Sequence, residues 1–293
     1  MNELRAILSD VVTRLFTERV TRELSEAAEQ GEWPGALWQA VEENGLTLPL
    51  VPAAKGGAGG TWGDAYVVVS AAGRHAVPLP LAETIVASWL LLAAGLEVPL
   101  GPLTVAPVQR DERLKLVRRD GGLRLDGTAA RVPWGRAAKH VVVVDETDGR
   151  ATVALVAAGG ARVTPDTNLA REPRDTLAFA GAPVLAAAPT AGLPHDAVRL
   201  YGALVRAADR RDPWFETAVA KARVGEAAGI GASIAHQVHG AIGFTYEHQL
   251  QFVTRRLWSW RAEFGGESEW ATLLGRSVAE RGAETLWSFL AAR

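Results

Sequence analysis

Few side chains in this chain of 293 residues stand where they could do chemistry by themselves. His236 and His239 are three apart at the end of a helical stretch, the spacing of some metal-binding pairs. No cluster of further ligands accompanies them, so capping or pairing with Glu247 is the expected role and no metal is expected. Lys55-Gly56-Gly57-Ala58-Gly59-Gly60 has the glycines of a phosphate loop. It follows Pro52 rather than a strand, and lacks both Gly-x-Gly-x-x-Gly and Gly-Lys-Ser/Thr, so it reads as a flexible loop. Arg255-Arg256 has two readings, a grip on a phosphate or a solvated helix face. Trp258, Trp260, Trp270 and Trp287 either cage a ligand or, as their helical spacing favours, pack a core or a dimer. Gln237 to Gly243 taken alone is a glycine-terminated helix end. There are no cysteines. That removes thiolate nucleophiles, zinc–cysteine sites, iron–sulfur clusters and disulfides, and fits a reducing compartment. Chemistry must come from carboxylates, His, hydroxyls or a bound cofactor.

The elements that position these residues change character along the chain. Over residues 1–98 apolar residues recur at helical spacing, as in Ile7, Val11, Leu15 and Val20, with further helices carrying Leu37, Val41 and Leu46, then Trp62 to Ala76, then Leu81 to Gly95. From Pro99 short, β-branched runs separated by Gly and Asp turns (Leu114–Val117, Gly122–Leu125, Val141–Val144, Thr152–Val156) predict an antiparallel β-domain over 99–185. After the Pro/Ala-rich stretch 182–194 the chain is helical again. Val198, Tyr201, Leu204 and Val205 share one face, and Asp212-Pro213 starts a helix that continues to His236. Tyr246, Leu250, Val253, Leu257 and Trp260 form one apolar stripe, and Trp270 to Leu290 another. The expected architecture is α+β in three parts: helical 1–98, β 99–185, helical 186–293.

With 31 Lys and Arg against 33 Asp and Glu there is no basic excess to neutralise a phosphate backbone, so nucleic acid is not an expected partner. The N-terminus mixes charges within its apolar stretch, unlike a signal peptide, and the apolar run Thr84–Gly95 is too short to span a bilayer. A cytoplasmic protein is expected.

Residues 237–248, Gln-Val-His-Gly-Ala-Ile-Gly-Phe-Thr-Tyr-Glu-His, resemble the Gln-x-x-Gly-Gly-x-Gly-Phe signature of the acyl-CoA dehydrogenase family. Gly45–Pro52 with the glycine-rich loop after it, and Pro78 to Thr84, look like that family's N-terminal domain. Arg131–His140 looks like its flavin-passing strand, and Thr167 to Phe179 like the segment closing the β-domain. The resemblance implies an acyl-CoA dehydrogenase-like fold, FAD, and dimers or tetramers with itself or a related subunit. In the family this turn faces the pyrophosphate of an FAD bound mainly by the neighbouring subunit. The implied cofactor residues are Gln237, Gly240, Ala241, Gly243 and Arg255, with Pro133, Trp134 and Gly135 in the β-domain. Glycines let a backbone approach phosphate and an amide can donate to it. Ala241 stands where the family has a second glycine.

The implied reaction is α,β-dehydrogenation of an acyl-CoA thioester, a carboxylate taking the α-proton while hydride passes to flavin and on to an unassigned electron acceptor. Ungapped counting from Gly243-Phe244 puts Arg255 on the family's Arg, Gly265 on a loop glycine and Phe264 at one branch's base position. Glu263 and Glu267 flank it as candidate bases. A second branch carries its base on the first long helix of the C-terminal domain. The chain lacks the family's Arg-x-Gln-Phe-Gly motif, and the C-terminal bundle looks short of a helical hairpin. Omission of residues would show as a wide Cα–Cα step between about 204 and 211. Three functions follow: an FAD-dependent acyl-CoA dehydrogenase, a non-catalytic partner subunit that completes another subunit's FAD site, or a thioester-binding protein without flavin.

Overall fold

The first helix, α1 (Glu3–Arg19), buries Leu8, Val12 and Phe16. The computed structural model describes residues 3–107, 112, 114–119, 121–147, 150–190, 214–245 and 247–292. The apolar residues of α1 come in neighbouring pairs, 7/8, 11/12 and 15/16. The member that turns Phe16 into the core wins, so the expected Ile7 stripe is displaced by one residue and Ile7 stays 54% exposed. α2 (Arg22–Glu29), α3 (Gly35–Glu43), α4 (Trp62–Arg74) and α5 (Leu81–Ala93) follow. Leu37, Val41, Val68 and Leu81 close one core around Phe16.

The start of α4 is set by charge as well as by apolar pattern. The backbone N–H and hydroxyl of Thr61 both donate to Asp64 Oδ2 at 2.7 Å, and Arg5 Nε donates to Asp64 Oδ1 at 3.0 Å. Burial alone would raise the Asp64 pKa, but the hydrogen bonds from Thr61 and the Arg5 charge outweigh it and hold the carboxyl below its ordinary 3.8. A depressed carboxyl stabilises the fold above its unfolded pKa and loses that contribution as pH falls through the folded value. Asp64→Ala is expected to cost about 1–2 kcal/mol in urea denaturation at neutral pH. Below pH 3.8 the difference from the unsubstituted protein should shrink as the carboxylate protonates.

The second layer is a sheet of β1 (Leu103–Ala106), β2 (Lys115–Arg119), β3 (Gly122–Pro133), β4 (His140–Thr147), β5 (Arg150–Ala157), β6 (Ala161–Thr164) and β7 (Arg174–Thr190). Its order is β1-β4-β5-β7-β3-β2, with β6 on β7. Pairing is antiparallel as expected except that β1 runs parallel to β4, because the β2–β3 hairpin intervenes before the chain returns beside β1. β7 serves two neighbourhoods: Arg174–Pro183 pairs with β3, and Val184–Thr190 with β5. The change falls at Gly181, whose φ is +71° and whose N–H donates to Asp126 Oδ1 at 2.7 Å where the β3–β7 register shifts. The Pro/Ala-rich stretch read as a connector is therefore strand as far as Thr190, past the boundary placed at 185. Alanine favours strands weakly, but pairing with Ala151–Val156 of β5 overrides that preference.

Helices and sheet of residues 1–208 form one compact unit. Val86, Leu90 and Leu91 of α5 pack on Leu103, Val142 and Val153 of the sheet. The buried Thr84 hydroxyl accepts from Leu103 N–H at 3.1 Å and donates to Leu103 O at 3.2 Å.

Residues 209–293 form a second unit of α6 (Trp214–His239), a 3-10 turn (Gly240–Phe244), α7 (Leu250–Ala262), α8 (Glu267–Arg281) and α9 (Leu286–Ala291). α7 buries Phe252, Arg256 and Ser259 with Gln251 and Thr254, whereas the expected stripe of Leu250, Val253, Leu257 and Trp260 is only half-buried. The reason is polar: Thr254 and Arg256 turn inward to make hydrogen bonds, as His236···Thr254 and Arg256→Phe252 O show. The expectations at Val198 to Val205, Asp212-Pro213, Tyr246 and the 204–211 step lie outside the described residues. No helix among the described residues is long and apolar enough to cross a membrane.

Candidate functional site

The signature segment forms the corner where α6 ends. Gly240 has φ +55°, the left-handed region in which glycine pays no Cβ penalty. A Cβ there would meet nothing within 4 Å. Gly243 is needed for a different reason. It is buried, and a Cβ would lie 3.0 Å from His239 Cβ and 3.1 Å from Leu250 Cδ2. Gln237, Gly240 and Ala241 are all exposed on this corner. An outward amide beside an open glycine backbone fits a phosphate-bearing ligand approaching from outside the unit. The donor set therefore suits a pyrophosphate such as that of FAD.

His236 holds the corner from within. Its ring stacks between Phe244, at 4.2 Å and 23°, and Trp258, at 5.5 Å and 16°. The Thr254 hydroxyl donates to Leu250 O at 3.2 Å, so its oxygen accepts from His236 Nε2–H at 2.9 Å. Buried Nδ1 has no hydrogen-bond partner among the described residues. His239 Nδ1 instead donates to Ala235 O at 2.8 Å, and its ring lies 4.8 Å from that of His248. Arg255 turns back on its own helix, its Nε donating to Gln251 O at 3.3 Å and its guanidinium lying 5.7 Å from the Phe252 ring centre.

The loop between α7 and α8 carries the base candidates, and it is clamped. Phe264 has φ +57° and Gly265 +90°. Lys221 Nζ of α6 donates to Glu263 O at 2.8 Å, and buried Trp270 donates from Nε1 to Phe264 O at 3.0 Å. Burial pushes the Lys221 ammonium below its ordinary pKa, while Glu263 and Glu269 pull it back up. Glu267 Oε1 accepts from Arg261 at 2.5 Å. The ion pair lies where α6 has no side chains, since a Cβ on Gly225 would sit 2.7 Å from Glu267 Oε2 and one on Gly229 2.6 Å from Arg261 Nη1. Oε2 is buried and accepts no hydrogen bond among the described residues. Glu263 and Glu267 thus flank Phe264 as counted, one at a helix end and one in an ion pair.

In the first unit Pro133, Trp134 and Gly135 form a tight turn after β3. Thr104 Oγ1 donates to Pro133 O at 2.6 Å, and Trp134 has φ +55° with its N–H bonded to Pro173 O at 3.0 Å. The Trp134 residue is only 6% exposed, and its ring meets Trp33 edge-on at 6.4 Å. Most of the indole surface is therefore taken up inside the protein. A Cβ at Gly135 would lie 3.1 Å from Leu177 Cδ2 and from Asp175 Cβ. Asp175 is fully buried and accepts from Arg136 N–H at 2.6 Å and Arg136 Nε at 2.9 Å, which fixes the turn.

Lys221, Thr254 and the Trp33 contact were missed by sequence reading. The four-residue spacing of Gly225 and Gly229 is a visible signal of close helix approach. The pairing of His236 with Thr254 spans two helices and leaves no local pattern.

Residues 2–98 match the acyl-CoA dehydrogenase N-terminal domain. Acyl-CoA dehydrogenase IpdE2 of Mycolicibacterium smegmatis is 35% identical over 106 residues, which are 35% of this chain and 34% of that protein. The match thus spans about a third of the relative's length. The ChsE4-ChsE5 complex from Mycobacterium tuberculosis superposes with a TM-score of 0.81 at 20% identity, over 96% of this chain and 98% of that chain. A Tcur3481-Tcur3483 steroid ACAD variant gives 0.80 at 21% identity, over 95% and 98%. These superpositions establish the fold.

Proposed function

Since residues 2–98 match the acyl-CoA dehydrogenase N-terminal domain and the chain has an acyl-CoA dehydrogenase-like fold, we propose that it belongs to that family and is a subunit of a flavin-dependent acyl-CoA dehydrogenase. In this reading it offers the 237–243 corner to an FAD shared with another chain, and the base lies on that other chain. The observation that carries this is Phe264, which stands at the counted base position in a loop fixed by Lys221 and Trp270. An aromatic ring there can shape a pocket but cannot take a proton. Bound FAD supplies the hydride-accepting chemistry. The residues of this chain bind and orient: the Gln237 amide and the backbone N–H groups of the corner donate to phosphate oxygens, Gly240 permits close approach, and His236 keeps the corner in shape. A soluble, cytoplasmic assembly handling acyl-CoA thioesters is part of the same reading.

Catalysis by this chain itself is the competing reading, favoured by Glu267 Oε2, which accepts no hydrogen bond among the described residues. One experiment separates the two. The chain alone, the chain with a co-purified acyl-CoA dehydrogenase-like partner, and the Glu263→Gln and Glu267→Gln variants are assayed on an acyl-CoA panel with an artificial electron acceptor. Turnover only with the partner, within about threefold for both variants, is the expected result. Turnover by the chain alone that is lost in Glu267→Gln would overturn it.

A further inference from the structure

The sheet of the first unit is covered unevenly. Val142 and Val153 of β4 and β5 lie under α5, while Val141, Val143 and Ala154 face a second core. In β2, β3, β6 and the first half of β7 only the face toward that second core is covered. Val163, Leu177 and Ala129 turn into it, so the row beside them, Arg162, Ala178 and Thr128, turns outward. By the same alternation Arg124 and Asp126 of β3 face outward, as do Lys115 and Arg119 of β2. Among the described residues the bare face therefore carries the cations Lys115, Arg119, Arg124 and Arg162 and one carboxylate, in a chain whose formal net charge is −2.

That carboxylate is spoken for. Asp126 Oδ2 pairs with Arg119 Nη2 at 2.8 Å, and its Oδ1 accepts from Gly181 N–H at 2.7 Å. Lys115, Arg124 and Arg162 make no ion pair among the described residues. Strands about 4.8 Å apart, with alternate residues about 6.8 Å apart, put Lys115 about 8 Å from Arg124 and Arg162 about 16 Å from both. Cations on an edge strand repel other strands, which accounts for Lys115 and Arg119 on β2. It does not account for Arg124, because β3 is paired on both sides.

We propose that this sheet face docks an acidic protein, in a transient contact steered by charge. The residues between the cations decide against other polyanions. Ala178, Ala180 and Thr128 are small, and no large apolar side chain is exposed on the face. A membrane-surface site needs apolar or aromatic side chains to enter the lipid, and a single-stranded nucleic acid needs rings to stack on. Carboxylates of a protein surface need only complementary charge and a flat approach, which short side chains leave open. The face lies in the first unit and requires neither flavin nor a catalytic base, so its failure and that of the flavin reading are distinguishable.

Fluorescence anisotropy of labelled poly-L-glutamate, titrated with the full chain, tests this. Binding in the micromolar range at about 20 mM salt is expected, weakening about tenfold by about 150 mM as the charges are screened. Lys115→Glu/Arg162→Glu changes two exposed positions and should weaken binding about tenfold or more at the lower salt. Arg124→Gln, which removes charge without reversing it, should weaken it about threefold. Arg223→Glu/Arg276→Glu makes the same charge change on exposed positions of the C-terminal unit and should stay within about twofold. Thermal melts show that the variants remain folded. Absence of binding, or equal losses in the two double variants, would overturn the proposal, the second because net charge alone would then explain it. Stronger binding to phosphatidylserine/phosphatidylcholine vesicles or to oligothymidylate than to poly-L-glutamate would overturn it in favour of a membrane or a nucleic acid.

Discussion

Trp270→Ala is expected to destabilise the C-terminal helical unit by about 3–5 kcal/mol, the range for removing a fully buried large aromatic side chain. Trp270 is 1% exposed in the first turn of α8, where α8 meets α6. Its loss opens a cavity beside Gly265, where a Cβ would lie 2.8 Å from the indole Nε1. It also releases Phe264 O, which accepts from the indole N–H and helps hold Phe264 in the left-handed region. The two contributions separate experimentally. Trp270→Phe keeps most of the ring volume and discards the N–H, so it should cost about 1–2 kcal/mol, the value of one buried hydrogen bond with some lost packing. Urea titrations followed by far-ultraviolet circular dichroism measure both. Equal losses for Ala and Phe would mean that the hydrogen bond, rather than burial, holds the loop.

The legibility of this structure in its sequence divides along physical lines. Local patterns survive. The switch from helical periodicity to β-branched runs near residue 99 is a property of neighbouring residues, and the helices, strands and later helices follow it. What fails involves choices between near-equivalent faces or contacts across long separations. Along α1 both members of each apolar pair suit a helix interior, and only the core identifies Phe16 as the inward one. Along α7 the apolar stripe suggests one buried face, but the Thr254–His236 bond and the buried Arg256 select another. β7 hides in a Pro/Ala-rich stretch because its strand character comes from β5 and not from its own side chains. At the candidate site, Gly240 is legible as a helix-ending glycine because its positive φ demands one, whereas Gly243 is set by the close packing of His239 and Leu250. The Trp134–Trp33 contact is not legible, since it joins residues a hundred positions apart.

Gln237→Leu is expected to lower the flavin affinity of the partnered assembly about ten- to a hundredfold, with little change in melting temperature. Gln237 is exposed at the end of α6, so an apolar replacement of similar size disturbs no core. What it loses is an amide donor to a phosphate oxygen, and a hydrogen bond to a charged group contributes about 1.5–3 kcal/mol. Gly240→Val should show the complementary behaviour. With φ at +55°, a β-branched side chain is strained by about 1–2 kcal/mol, and its methyls stand in the open space through which a pyrophosphate would approach. Both stability and flavin content should fall. Flavin absorbance per mole of chain after desalting, together with thermal melts of the same samples, distinguishes the two effects. Loss in both variants, with a lowered melt only in Gly240→Val, supports a corner that binds flavin through a side-chain amide and an unobstructed backbone. Full flavin content in Gln237→Leu would remove the amide from the site, and full content in both would show that the corner is only the end of a helix.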